Sequence, residues 1–93
     1  KGYARIRTIT DRLTNKETIF MTTKKMLSQD TFKVMEENET IVMDAEMSRR
    51  IFLSLGLELK ESIKKYRESY KLENSLVEID IMIRTFVLSP ILK

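Results

Sequence analysis

The sequence predicts an α+β domain: an antiparallel sheet that curls into a barrel or tunnel, with one helix packed outside it. Five segments alternate polar and apolar residues with a period of two, which is typical of strands with one covered face. One further segment repeats apolar residues at helical spacing. The first two connections are short and rich in Asp, Asn, Thr and Ser, which favours antiparallel neighbours. The predicted order of elements is therefore β-β-β-α-β-β.

Each predicted strand has one charged face and one apolar face. In the first strand Arg5 and Arg7 share a face, and Ala4 and Ile6 share the opposite one. The predicted strands cover residues 3–9, 17–26, 32–40, 58–71 and 76–83. A small closed barrel needs about eight strands, so we expect an incomplete barrel.

The predicted helix covers residues 44–55. Asp44 has the side chain of a good N-cap, because its carboxylate can accept a hydrogen bond from the first turn. Met47, Ile51 and Leu55 follow at i, i+4 and i+8, which predicts the apolar stripe that packs on the sheet. Gly56 is then placed to adopt the left-handed conformation that ends many helices.

Composition restricts the chemistry that is available to the chain. Its 93 residues suffice for one domain, and 17 basic against 14 acidic side chains give a net charge of +3. Cysteine and histidine are absent, which excludes thiol catalysis, histidine bases and imidazole metal ligands. Two glycines exclude the glycine-rich phosphate loops. Apolar runs are too short to span a bilayer and no signal-type segment is present, so we expect a cytoplasmic protein without a membrane partner.

The charged faces carry repeated pairs of like charge at two-residue spacing. Arg-x-Arg, Lys-x-Arg and Glu-x-Glu each occur on a different predicted strand. In most antiparallel sheets such a face is simply exposed to water. If the sheet curls, however, the cations converge across a concave surface where they can hold phosphates, and the carboxylates can hold Mg²⁺ or Mn²⁺.

The order of these segments resembles the CYTH superfamily, whose members include class IV adenylyl cyclases, thiamine triphosphatases and inorganic triphosphatases. The resemblance extends from residue 3 to residue 82 and is carried by Arg5-Ile6-Arg7, Met21-Thr22-Thr23-Lys24, Glu36-Glu37-Asn38-Glu39, Leu53-Ser54-Leu55-Gly56, Lys65-Tyr66-Arg67-Glu68-Ser69-Tyr70 and Val77-Glu78-Ile79-Asp80. It implies a triphosphate tunnel fold and a single CYTH-like domain over residues 1–93. The opening Glu-x-Glu-x-Lys strand and the closing Glu-x-Glu strand of the family have no counterpart, and Met35 stands where an inward arginine is expected.

The resemblance also implies roles for individual residues. The phosphate-binding cations would be Arg5, Arg7, Lys24, Lys65 and Arg67. The catalytic carboxylates would be Glu37 and Glu39. The same two glutamates, together with Asp80, would hold Mg²⁺ or Mn²⁺.

These assignments predict metal-dependent binding and hydrolysis, or cyclisation, of a nucleoside triphosphate, thiamine triphosphate or inorganic tripolyphosphate. The alternative is a non-catalytic module that binds polyphosphate or another polyanion, so whether the chain is an enzyme stays open. A nucleic-acid partner is not expected, because Tyr66 lies on the strand face opposite Lys65 and Arg67. If the chain forms a homodimer, we expect it to use exposed strand edges or the apolar segment 81–88.

Overall fold

The computed structural model describes residues 2–28, 34–67, 70–72, 75–77 and 80–91. Its elements are β1 (Gly2–Asp11), β2 (Lys16–Ser28), β3 (Val34–Val42), α1 (Ala45–Ser54), β4 (Leu57–Arg67), β5 (Tyr70–Leu72), β6 (Ser75–Val77) and β7 (Ile81–Pro90). Residues 32–33 of the third predicted strand, 68–69 of the fourth and 78–79 of the last one lie outside the described residues.

Five of these strands form one antiparallel sheet in the order β3-β2-β1-β7-β4. This confirms the α+β class, the single helix after three strands and the open form of the sheet. The strands after the helix differ from the predicted 58–71 and 76–83, because Leu72 pairs with Ser75 and makes β5 and β6 a separate two-stranded sheet. Period-two alternation continues through this short hairpin, so the pattern alone does not show where β4 ends.

The segment 81–88, which the sequence presents as an apolar tail, is the larger part of the inner strand β7. Arg5 pairs with Val87 on one side of it, and Val87 pairs with Glu61 on the other. Apolar residues stand on both faces of β7, with Phe86 and Leu88 at the core and Val87 on the side of Arg5, so the segment reads as a nearly continuous apolar run. The backbone of this segment is therefore paired within the chain, and among the described strands the edges of the sheet are β3 and β4.

A small core lies between the helix and one face of the sheet. Its buried members come from β1, β2, β7 and α1: Ala4, Ile6, Ile19, Leu88 and Phe52. Alternation along β1 sends Ala4 and Ile6 towards the helix, so the residues between them must point to the other side of the sheet. The helix thus fixes which face of the sheet remains open.

The predicted ends of the helix are confirmed, whereas the predicted packing face is wrong. Asp44 Oδ1 accepts a hydrogen bond from the Met47 amide at 2.9 Å, and Gly56 has a φ of +96°. The predicted apolar stripe of Met47, Ile51 and Leu55 is exposed, and each of the three side chains is at least 50% accessible to solvent. Ser48 and Phe52 are buried instead.

Two properties favour this rotation of the helix. The Ser48 hydroxyl donates to the Asp44 carbonyl at 2.7 Å, so this small polar residue can be buried with its hydrogen bond made. Phe52 then supplies a larger apolar area than an aliphatic side chain. Within the described ranges, no helix has the length and apolar character that are needed to cross a membrane.

Candidate functional site

The face of the sheet opposite α1, which we call the open face, carries the charged residues of β1 and β2. Arg5 pairs with Thr22 and Tyr3 pairs with Lys24 in the antiparallel register. Directly paired residues point to the same side of a sheet. The alternation that buries Ala4 under the helix therefore places all four of these side chains on the open face.

The outer strands add the remaining charges to this face. On β3, Glu39 pairs with Thr22 and Glu37 pairs with Lys24. On β4, Lys65 pairs with Ile83 and Arg67 pairs with Ile81. The open face thus contains every site residue that the sequence predicts except Asp80: Arg5, Arg7, Lys24, Glu37, Glu39, Lys65 and Arg67.

A groove of about 410 Å³ crosses the open face between β1 and β4. We call it the cationic groove. Its walls are formed by Arg5, Arg7, Lys65 and Arg67 together with Tyr3, Ile63, Ile83, Thr85 and Val87. These lining residues include four cations and no carboxylate, so together they carry a net positive charge.

The arginines of β1 are incompletely paired. The Nε atoms of Arg5 and Arg7 are buried and have no hydrogen-bond partner. Among the described residues, no carboxylate oxygen lies within 4.0 Å of a charged nitrogen of Arg7, Lys65 or Arg67. A buried donor without a partner destabilises a fold by about 1–3 kcal/mol. An anion in the groove would reduce the repulsion between the cations.

The acidic side of the open face is already paired. Glu37 Oε2 lies 3.4 Å from Lys24 Nζ. Glu39 Oε2 accepts a hydrogen bond from Thr22 Oγ1 at 2.7 Å and lies 3.9 Å from Arg5 Nη2. The pKa of Lys24 is raised, first by a hydrogen bond with Tyr3 and then by the charge of Glu37. The two cations nearest to β3, Arg5 and Lys24, are thus partly neutralised, whereas those nearest to β4 have no carboxylate partner among the residues that the structure describes.

Glu37 and Glu39 have the chemistry of a magnesium or manganese site. They project from alternate positions of β3 and offer hard carboxylate oxygens. Mg²⁺ in enzymes is commonly held by one or two carboxylates together with substrate phosphates and water. The donor types therefore fit such an ion, although no group of three acidic ligands forms within the part of the chain that the structure describes.

The structure does not bring Asp80 to these glutamates. Asp80 Oδ1 lies 3.6 Å from Arg12 Nη1, and its carbonyl accepts the Arg12 amide at 2.8 Å. Glu39 pairs with Thr22, and Thr22 pairs with Arg5, so Glu39 lies beside Arg5 and not beside Arg12. The seven residue steps from Arg5 to Arg12 correspond to about 23 Å along the strand.

Sequence reasoning missed one residue of this face. Thr22 is 1% exposed, and its hydroxyl makes the shortest of the contacts to Glu39 described above. Its alternation with Lys24 was the available signal, since it places Thr22 on the charged face of β2. The contact itself depends on the register of β3 against β2, which the sequence does not reveal.

One family model matches most of the chain. The family model of the CYTH domain matches residues 1–83. No curated protein and no solved structure matches the chain significantly.

Proposed function

This chain belongs to the CYTH domain family, and on that premise we propose that it binds the triphosphate group of its substrate in the cationic groove and catalyses metal-dependent hydrolysis or cyclisation. The observation that carries the proposal is the unbalanced charge of the groove, where Arg7, Lys65 and Arg67 face one cavity without a described carboxylate beside them. The substrate class is a nucleoside triphosphate, thiamine triphosphate or inorganic tripolyphosphate.

The types of cation in the groove suit a phosphate chain. Guanidinium groups bind phosphate oxygens through two parallel hydrogen bonds, and an ammonium group binds them as a point charge. Arg7 on β1 and Arg67 on β4 approach the groove from different strands. A ligand with several phosphates can therefore contact cations on both walls at once.

In phosphoryl transfer the protein need not form a covalent bond to the substrate, and most of the catalysis comes from positioning the reacting groups and stabilising charge. The arginines and Lys65 would hold the phosphate oxygens and stabilise the charge that moves onto them as the bond breaks. Glu37 and Glu39 would hold Mg²⁺ or Mn²⁺, which neutralises phosphate charge when bound. Hydrolysis is the simpler reaction for this groove, because Tyr3 is the one aromatic among its described lining residues and a base has no further stacking partner.

A second candidate is a non-catalytic module that binds tripolyphosphate or another polyanion. It is favoured by the pairing of Glu37 with Lys24 and of Glu39 with Thr22, since these contacts occupy the carboxylates in the absence of a metal. Met35 also lies on the edge strand, at 46% exposure, where the family resemblance calls for an arginine.

Thermal-shift and calorimetric titrations with tripolyphosphate, ATP and thiamine triphosphate, each with and without Mn²⁺, test both candidates. An enzyme will bind at least one ligand and release phosphate, or form a cyclic nucleotide, only with the metal. A polyanion-binding module will bind tripolyphosphate equally well in chelator and will not turn it over. Absence of binding under all conditions would reject both.

A matched pair of variants locates the site. Arg67→Ala removes an exposed cation of the groove and is expected to weaken tripolyphosphate binding about tenfold without lowering the melting temperature. Arg84→Ala is the control, because Arg84 pairs with Thr8 and points to the helix side of the same sheet. Equal effects of the two substitutions would show that binding depends on net charge and not on the groove.

A further inference from the structure

Thr22 is a buried polar residue below the charged open face. It is 1% exposed and sits on β2 between Arg5 of β1 and Glu39 of β3. Its hydroxyl donates to Glu39 Oε2 at 2.7 Å, which is the length of a strong bond to a carboxylate. A buried hydroxyl of this kind restrains the carboxylate that it contacts.

The restrained oxygen is the one that faces Arg5. Glu39 Oε2 lies 3.9 Å from Arg5 Nη2, which is too far for a hydrogen bond. Arg5 lines the cationic groove with a side chain that is only 17% exposed, and its Nε is buried without a partner. The glutamate is thus near the guanidinium without forming the short, bidentate pair that arginine and carboxylate usually make.

We propose that Thr22 is a positioning residue: its hydroxyl holds Glu39 short of Arg5, so that the donors of Arg5 stay available to an anion in the groove. The inference rests on the proposed function in that the anion is taken to be a phosphate chain. Without the hydroxyl, Oε2 loses its short partner, and Arg5 is the described cation within 4.0 Å of it. A closed Arg5–Glu39 pair would then have to break before a phosphate could bind.

Removal of the hydroxyl tests this arrangement. Thr22→Val should bind tripolyphosphate about tenfold more weakly than the wild type, measured by calorimetry in chelator so that no metal role of Glu39 contributes. Thr22→Ser keeps the hydroxyl and should bind like the wild type. Thr8→Val is the matched control, because Thr8 is the other described buried threonine and lies on the helix side of β1.

Recovery of affinity in a double variant distinguishes a positioning role of Thr22 from a structural one. If Glu39 closes onto Arg5 in Thr22→Val, adding Glu39→Gln removes the competing charge and should restore the affinity. A binding loss that persists in the double variant, or an unchanged affinity in Thr22→Val, would overturn the proposal. Should Thr22→Val fail to fold, Thr22→Ala against Thr22→Ser supplies the same comparison.

A measurement without ligand keeps this inference distinct from the proposed function. In NMR spectra, the Nη protons of Arg5 should exchange with water more slowly in Thr22→Val than in the wild type, because a closed ion pair protects them. If wild-type protein binds no tripolyphosphate, the proposed function fails and this exchange rate still tests the role of Thr22. Equal exchange rates in the two proteins would refute it.

Discussion

Replacing Arg7 by methionine should stabilise the ligand-free protein while it weakens anion binding. Arg7 lies on the open face of β1, and its Nε is buried without a partner. Methionine keeps an unbranched apolar stem of similar reach and removes both the charge and the unpaired donor. If Arg7 binds phosphate, it does so at the expense of the stability of the ligand-free protein.

The size of the effect follows from the spacing of the strands. Arg7 pairs with Thr85 of β7, whereas Lys65, the nearer groove cation of β4, pairs with Ile83, so the two positions lie about 12 Å apart. Two unit charges at that distance repel by about 1.4 kcal/mol at an effective dielectric constant of about 20, and screening at physiological salt reduces this to about 0.3 kcal/mol. Relief of the unpaired Nε adds about 1 kcal/mol, and loss of guanidinium packing offsets part of the gain. We expect a net gain of about 1 kcal/mol, or about 4–8 °C in melting temperature.

Urea denaturation of the wild type and Arg7→Met at low and high salt measures the gain. The difference in free energy of unfolding should shrink as salt screens the repulsion, and the affinity for tripolyphosphate should fall at least tenfold. Arg84→Met, on the helix side of β7, controls for loss of a surface cation. A variant of Arg7 that loses more than about 1 kcal/mol of stability at every salt concentration would refute the reasoning and mark Arg7 as structural.

Three smaller tests concern the helix that fixes the open face. Asp44→Ala removes the N-cap bond to Met47 and should lower the free energy of unfolding by about 1 kcal/mol in urea titrations; no change would mean that the first turn is held by other contacts. Gly56→Ala meets open space but forces alanine to a φ of +96°, so a similar loss is expected and an unchanged urea midpoint would contradict it. The pKa of Glu46 is lowered, chiefly by a hydrogen bond from Arg49. The stability advantage of the wild type over Glu46→Gln should therefore be present above the ordinary pKa of glutamate and disappear as pH falls through the lowered folded value, and a pH-independent difference would contradict this.

The charged face could be predicted from the sequence because strand alternation depends on nearest neighbours alone. Arg5 and Arg7 share a side of β1 whatever strand lies next to them. The antiparallel partners then follow from short connections, as between β1 and β2. Register across the sheet is different, since it is set by the whole chain. The sequence therefore indicated that Thr22 and Glu39 are polar-face residues without showing that they touch.

Two other features depend on tertiary packing and were misjudged or left open. Ile51 and its helical neighbours form a good stripe by spacing, yet burial of Phe52 rotates the helix away from them. Asp80 follows the residue alternation of its segment, but its distance from Glu39 depends on where β7 begins. Residue propensity and periodicity do not predict the residue at which β7 begins, because they reflect local sequence and not contacts between distant segments.

The outer edge of β3 bears on whether two copies of the chain can associate through their sheets. Within the described ranges no strand pairs with that edge, and β3 presents Glu36, Glu37 and Glu39 along its length. Like charges along a free edge hinder a second copy from adding its own β3 there, which is the protection that many β-proteins use against fibre growth. The acidic residues of β3 therefore oppose association of two copies through this edge.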